Sequence, residues 1–232
     1  MSDIKILFED NDFLIIDKPS GITVNKSETT KGDTLQDWLE QNSKIQKIGD
    51  GSDFDSRSGI VHRIDKETSG LLIVAKNKES FEELQKQFKE RIVKKTYTAL
   101  VHGKLQGEGE IRVPVGRLPW NRTRFGVLSG GREAVTKYKV LKEISLNGEL
   151  FSLIEAYPET GRTHQIRVHL KYLNHPIFGD ELYAGRKTAR SDRKILPRLF
   201  LHASKISFNH PRTAEKVEFE SRLPKELEDL LL

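Results

Sequence analysis

The 232-residue chain has no cysteine at all, one methionine and two tryptophans. The first absence removes disulfides, thiolate metal sites, cysteine nucleophiles and the zinc deaminase signature together. No run approaches the roughly 18 consecutive apolar residues that a membrane-crossing helix requires. The opening MSDIKILFEDNDFLIIDKPSG scatters charges among its apolar residues, without the basic start and unbroken apolar core of a secretory leader. A cytoplasmic protein with no membrane partner is expected. GxxxxGK(S/T), GxGxxG and GxSxG are also missing, which leaves a P-loop, a dinucleotide fold and a hydrolase elbow without support. Histidine is not scarce, with seven copies. Yet His164 and His169 lie five apart, on different sides of a helix or a strand. No HExxH occurs and no acid flanks the histidines at ligand spacing, so structural or RNA-contacting roles are expected and no metal.

Hydrophobic residues make up 36% of the chain and charged residues 31%, which places it among folded globular proteins rather than disordered tails. A net charge of +5 says little alone; its distribution says more. Between Arg112 and Lys139 seven basic residues (Arg112, Arg117, Arg122, Arg124, Arg132, Lys137, Lys139) face one acid, Glu133. Between Arg186 and Arg198 six (Arg186, Lys187, Arg190, Arg193, Lys194, Arg198) face only Asp192. Clustered positive charge on a balanced chain suits a phosphate backbone. A solvated loop with uneven charge is the other reading of either cluster.

Neither repeats nor a Pro/Gly/Ser linker divide the chain, so residues 1–232 are expected to act as one domain. Residues 4–8 and 13–17 read as strands around a turn at 9–12, and Lys18-Pro19-Ser20-Gly21 ends the second. Residues 34–42 read as a helix with Leu35, Trp38 and Leu39 on one face. Residues 50–58 read as a polar loop and 71–75 as an apolar strand. Ser80 and Glu83 form a capping-box pattern before a helix with Phe81, Leu84 and Phe88 on one side. Strands are expected at 95–102, 135–141, 151–157, 198–208 and 216–219. After the turn at 159–161, Ile166, Leu170 and Leu173 mark a helix stopped at 174–176. Strands that outnumber helices without alternating with them predict an α+β architecture on a mixed, largely antiparallel sheet.

Asp65 stands out. It lies between a Gly/Ser-containing loop and the strand at 71–75, with His62, Arg63 and Lys66 beside it. A nucleophile, a general base and a turn residue bonding its own backbone all fit that setting.

GIVHRIDKETSGLLIVAKN, residues 59–77, resembles the active-site segment of the RluA-type pseudouridine synthases. EDNDFLIIDKPSG (9–21), KKTYTALVHG (94–103), GREAVTKYKVL (131–141), TGRTHQIRVHLKYLNHPIFGD (160–180) and LHASKISFNHP (201–211) resemble the same family in the same order. The resemblance implies the pseudouridine synthase fold and an isomerase, an intramolecular transferase acting on uridine in ribosomal or transfer RNA. It assigns Asp65 as the catalytic aspartate, Tyr97 as the tyrosine packing on the target base and Arg167 as the basic partner of the aspartate. It assigns Arg63 to holding the nucleotide out of its stack. Without it, a core tyrosine at 97 and a solvent-facing arginine at 167 are the simpler readings.

The chemistry fits these roles. The ribose–nitrogen bond breaks, the uracil turns, and a carbon–carbon bond forms, with no redox change and no phosphate energy; no cofactor is expected. A stacked base is inaccessible, so it must be flipped into a pocket. Attack at C6 of the base and action at C1′ of the ribose both remain open, and Tyr97 or a water is the candidate for removing the final proton. Many family members carry an RNA-binding domain ahead of the catalytic one, whereas here the pattern begins at residues 6–9. RNA contacts are therefore expected from His62, Arg63 and basic loops holding Arg117, Arg122, Arg124, Arg186 and Arg190, with a stem-loop RNA as the partner and a monomer as the working form. A catalytically idle RNA-binding factor on the same scaffold is the alternative; keeping Asp65, Tyr97 and Arg167 together argues against it.

Overall fold

The computed structural model describes residues 4–28, 30–43, 45 and 48–232. Its first part carries strands β1 (Lys5–Glu9) and β2 (Phe13–Lys18), helix α1 (Leu35–Asn42), the single-turn helix α2 (Asp53–Ser56), strand β3 (Ser69–Ala75) and helix α3 (Lys78–Lys89). Six strands follow: β4 (Lys94–His102), β5 (Glu108–Arg112), β6 (Val115–Leu118), β7 (Asn121–Val127), β8 (Val135–Leu146) and β9 (Glu149–Pro158). Helices α4 (Gln165–Tyr172) and α5 (Arg186–Ile195), strands β10 (Leu201–Asn209) and β11 (Lys216–Glu220), and the short helix α6 (Lys225–Glu228) complete it. Strands dominate and do not alternate with helices, so the fold is α+β, as expected. The backbone gathers into two compact units, Met1–Lys94 with Lys205–Ser221, and Lys95–Ser204 with Arg222–Leu232.

In the first unit β2 pairs antiparallel with both β1 and β3, and residues 205–209 of β10 pair antiparallel with β11. Every residue of β3 is buried, which is why this stretch reads as a continuous apolar run rather than an alternating one. Phe13, Ile15, Ile73, Phe81, Leu84 and Phe208 form the core, with the Phe13 and Phe208 rings 5.1 Å apart edge to face. Helix α1 starts where expected, with a reciprocal capping box between Thr34 and Asp37. Helix α3 starts one turn earlier than the Ser80 pattern implied. Asn77 is its cap, its side-chain oxygen accepting the Ser80 N–H at 2.9 Å, and Ser80 lies inside the helix. The expected loop at 50–58 contains α2, because Ser52 caps it and Phe54 is drawn into the core.

In the second unit β4, β9, β8 and β5 pair antiparallel in that order, and β6 and β7 form a separate hairpin. Strands β8 and β9 run several residues beyond the expected 135–141 and 151–157. Asn147 and Gly148 join them with φ of 51° and 83°, the positive pair that a tight hairpin turn demands. The expected basic loops are ordered elements instead. Residues 117–124 lie in the β6–β7 hairpin, and 186–195 form α5. Helix α5 buries Ala189 and Asp192, and Asp192 Oδ2 lies 2.9 Å from both His102 Nε2 and the Gly179 nitrogen. A single buried acid on an otherwise basic segment thus anchors the helix, a signal that hydrophobic periodicity cannot carry.

Near the β2 end, Arg212 forks onto Asp12, with Nη2–Oδ1 at 2.6 Å and Nε–Oδ2 at 2.9 Å, while His210 Nε2 lies 3.0 Å from Asp10 Oδ2. Asp10, Asp12 and His210 have metal-ligand character by proximity, but these atoms are engaged with one another and with Arg212. Hydrogen bonding from Arg212 holds the Asp12 carboxyl below its ordinary value of 3.8. The folded state therefore prefers the ionised acid, and the stabilisation present at neutral pH is lost as pH falls through the depressed value. Because the Arg212 side chain is largely exposed, Arg212→Ala is expected to cost only about 1 kcal/mol at pH 7. Urea denaturation at pH 7 and pH 3 checks this: the gap between wild type and variant narrows at the lower pH, and an unchanged gap contradicts the ion-pair origin.

Candidate active site

Asp65 opens a turn in which the Thr68 N–H donates to the Asp65 carbonyl at 3.1 Å. That turn is held on both sides. Upstream, His62 Nε2 accepts the Ile73 N–H at 3.0 Å, and its ring lies 4.7 Å from that of Phe88. Gly59 lies against the end of β3, where the Ala75 N–H donates to its carbonyl at 2.9 Å. With φ of +74° and the Ala75 carbonyl oxygen 2.0 Å from where a Cβ would stand, only glycine fits there. Downstream, the Lys66 carbonyl accepts the Gly21 N–H at 2.8 Å and the Lys18 ammonium at 3.1 Å, and the Glu67 carbonyl accepts the Ser20 hydroxyl at 2.7 Å.

Lys18 is the least expected of these residues. Its side chain is wholly buried, and its ammonium also donates to the carbonyls of Pro19 at 2.8 Å and Ile22 at 3.0 Å. Three carbonyls match the three donors of an ammonium, which makes burial of the charge tolerable. The KPSG turn is legible in the sequence as a strand terminator; its use as a clamp on a turn 48 residues away is not. Thr68, buried beside the same turn, has no hydrogen-bond partner for its hydroxyl among the described residues.

The second unit supplies the other two expected catalytic residues. Tyr97 is buried on β4 opposite Ala156. Lys95 shares its face of the strand and is pushed down to about 8 by the loss of hydration around it. Arg167 is only 3% exposed, so the solvent-facing alternative for it is excluded. Its Nε and Nη2 each donate to Asp180 at 2.8 Å, and its guanidinium lies 5.1 Å over the ring of Tyr183. Asp180 Oδ1 also accepts the N–H groups of Leu182 at 2.9 Å and Tyr183 at 3.1 Å. Asp180 and Tyr183 went unnoticed as site residues because nothing in the spacing ties them to Arg167. His169 is buried between Thr136 and Val113, held below the usual histidine range by desolvation, and serves as a neutral core residue.

The candidate RNA contacts divide clearly. Arg63, Arg117, Arg122, Arg186 and Arg190 are exposed and Arg124 is half-buried, and none has a carboxylate partner among the described residues. Their neighbours Arg112, Lys137, Arg193 and Arg198 are paired with Glu110, Glu159, Glu181 and Glu226. On α5, Arg186, Arg190 and Lys194 recur every fourth residue and so form one exposed stripe beside the face that buries Ala189 and Asp192. His62 spends its Nε2 on Ile73, which makes it a brace for the Asp65 turn.

Residues 12–172 match the family described as RNA pseudouridylate synthase. The chain is 40% identical to the ribosomal large subunit pseudouridine synthase D of Nitrosomonas europaea, covering 98% of this chain and 64% of that protein. It is 41% identical to an uncharacterized RNA pseudouridine synthase of Bacillus subtilis, covering 99% of this chain and 72% of that one. The chain thus spans about two thirds of the length of these relatives. Among solved structures, human RNA pseudouridylate synthase domain containing 1 superposes with a TM-score of 0.73 at 30% identity, over 96% of this chain and 84% of that one.

Two substitutions test the turn. Lys18→Met keeps the buried stem, takes the ammonium from the carbonyls of Pro19 and Ile22 and leaves the Lys66 carbonyl its bond from Gly21, so it is expected to cost about 3 kcal/mol in urea denaturation. A loss under about 1 kcal/mol contradicts the clamp. Thr68→Val removes a hydroxyl that bonds nothing among the described residues, so its urea midpoint is expected at or above that of the wild type.

Proposed function

The chain belongs to the RNA pseudouridylate synthase family, and on that premise we propose that it isomerises uridine to pseudouridine in large-subunit ribosomal RNA. The observation that carries the reading furthest is the locked turn of Asp65. A turn bonded to other segments through the His62 ring and through the carbonyls of Lys66 and Glu67 holds the backbone of Asp65 in one place, as a group that must meet a single reacting carbon requires. The relatives named for the large ribosomal subunit favour that RNA over transfer RNA.

In the proposed reaction the target uridine is flipped from its stack, with Arg63 bracing the gap that it leaves. Tyr97 offers its ring to the uracil. Asp65 acts in its ionised form, at C6 of the base or at C1′ of the ribose, and Arg167 supplies the opposing positive charge as the base displaces water. The bond from C1′ to the base nitrogen breaks, the uracil turns, and C1′ bonds to carbon C5. The proton on C5 then leaves to Tyr97 or to a water, and the ring nitrogen freed from C1′ takes up a proton, so the product is an isomer of uridine. Burial of Arg167 against Asp180 and Tyr183 supports a guanidinium held in place rather than one that searches for its partner.

Residues 1–232 are proposed to work as one catalytic domain and as a monomer, with RNA affinity drawn from Arg117, Arg122 and Arg124 of the β6–β7 hairpin and Arg186 and Arg190 of α5, which have no carboxylate partner among the described residues. The cytoplasm is the proposed location; among the described residues no helix is long and apolar enough to cross a membrane.

A pseudouridine map of total RNA from cells carrying wild type or Asp65→Ala is expected to show one or a few sites lost. No lost site, with transcripts also untouched by the wild type in vitro, overturns the activity. If about four phosphates are neutralised, affinity for a large-subunit ribosomal RNA transcript falls roughly 100-fold between 50 and 200 mM salt. An affinity flat across that range contradicts binding by these arginines.

A further inference from the structure

We propose that the β6–β7 hairpin is a preformed wedge that stacks Trp120 on an unpaired base of the bound RNA while its arginines hold the neighbouring phosphates. The inference rests on the RNA-directed reading above and adds a specificity-determining residue to it.

Trp120 is 76% exposed, and among the described residues only the C-terminal Leu232 is a more exposed large apolar side chain. An indole left in water contributes little to folding, so the fold gives no reason for its presence. Its position is also tightly defined. Leu118 pairs with Asn121, so Pro119 and Trp120 alone make the connection, and proline restricts the backbone on one side of it. On the other side Asn121 Oδ1 accepts the Thr123 N–H at 3.2 Å and its hydroxyl at 2.6 Å.

The register carries the arginines outward. Arg117 faces Phe125, yet the next residue, Leu118, faces Asn121, so residues 122–124 are extra on β7 and leave the ladder. A bulge of this kind re-aims side chains, and here it carries Arg122 and Arg124. The base of the hairpin is seated separately. The Phe125 N–H donates to the Tyr183 hydroxyl at 3.1 Å, His164 Nδ1 lies 2.8 Å from the same oxygen, and the Arg117 guanidinium sits 5.3 Å over the Phe125 ring. An arm fixed at its base and tip loses little freedom on binding.

An aromatic face beside three arginines without carboxylate partners matches single-stranded nucleic acid, which offers both a π-face and phosphates. A paired A-form stem offers phosphates but no open base face along its length. The occupant is therefore an RNA with an unpaired base within reach of the hairpin.

The test measures binding of a stem-loop RNA and of a perfectly paired duplex of equal length, at one salt concentration. Trp120→Ala is expected to weaken stem-loop binding about 10- to 100-fold while leaving duplex binding within about twofold and the melting temperature unchanged. Arg122→Ala with Arg124→Ala weakens both. In a Trp38→Phe background, Trp120 emission is quenched by the stem-loop and not by the duplex. Wild-type stem-loop affinity in Trp120→Ala, or unquenched Trp120 emission, overturns the wedge. Pseudouridine formation is read in parallel with the wild type. Activity with an unaffected Trp120→Ala affinity removes the wedge alone, and a Trp120→Ala binding loss without any pseudouridine removes the activity alone.

Discussion

An ammonium shut away from water needs acceptors from its own fold, and Lys18 takes three backbone carbonyls from two separate segments. Two of them, Pro19 and Ile22, belong to the turn that ends β2; the third, Lys66, belongs to the turn opened by Asp65. A buried charge of this kind is intolerant of slack, because any carbonyl that drifts away leaves it short of an acceptor. Ser20 and Gly21 add bonds along the same seam, and His62 closes the other side by accepting from β3. The position of Asp65 therefore follows from the packing of β2 and β3. Those strands are wholly apolar in their centres and form the rigid floor on which the turn stands.

The second unit solves a similar problem with the opposite means. Arg167 is buried, but its charge meets a carboxylate, Asp180, which is itself tied to two backbone N–H groups in the following turn. Tyr183 then serves both the guanidinium, through its ring, and the β6–β7 hairpin, through its hydroxyl. An element proposed to hold RNA and an arginine proposed to serve the chemistry thus share one support. The basic residues of this unit's two clusters divide accordingly: Arg112, Lys137 and Arg193 are stapled to carboxylates, whereas Arg117, Arg122 and Arg124 of the hairpin and Arg186 and Arg190 of α5 have none among the described residues.

Local pattern was enough for the elements whose signals are local. The helix at 34–42, the apolar run of β3 and the 3.6-residue spacing in α3 and α4 were all legible, whereas the capping box was read at Ser80 and Glu83 and lies instead at Thr34 and Asp37. The Asn147–Gly148 turn was legible too, yet it passed unread, and with it the true length of β8 and β9. Helix α5 was harder, because its buried face is one alanine and one aspartate, and a basic polar segment reads as loop. Family resemblance pointed to Asp65, Tyr97 and Arg167, whereas spacing alone left each with a plainer reading. Lys18 and Asp180 lay outside both approaches as site residues, since their importance comes from burial against partners 48 and 13 residues away.

Asp65, held by this turn, is proposed to perform the isomerisation and not merely to shape the protein. Single-turnover conversion of uridine in a large-subunit ribosomal RNA transcript, measured beside binding of the same transcript, tests it most directly. The wild type is expected to convert its site while Asp65→Asn binds within about tenfold of it and converts none. Conversion by Asp65→Asn at the wild-type rate, or a joint collapse of binding and conversion, would contradict it.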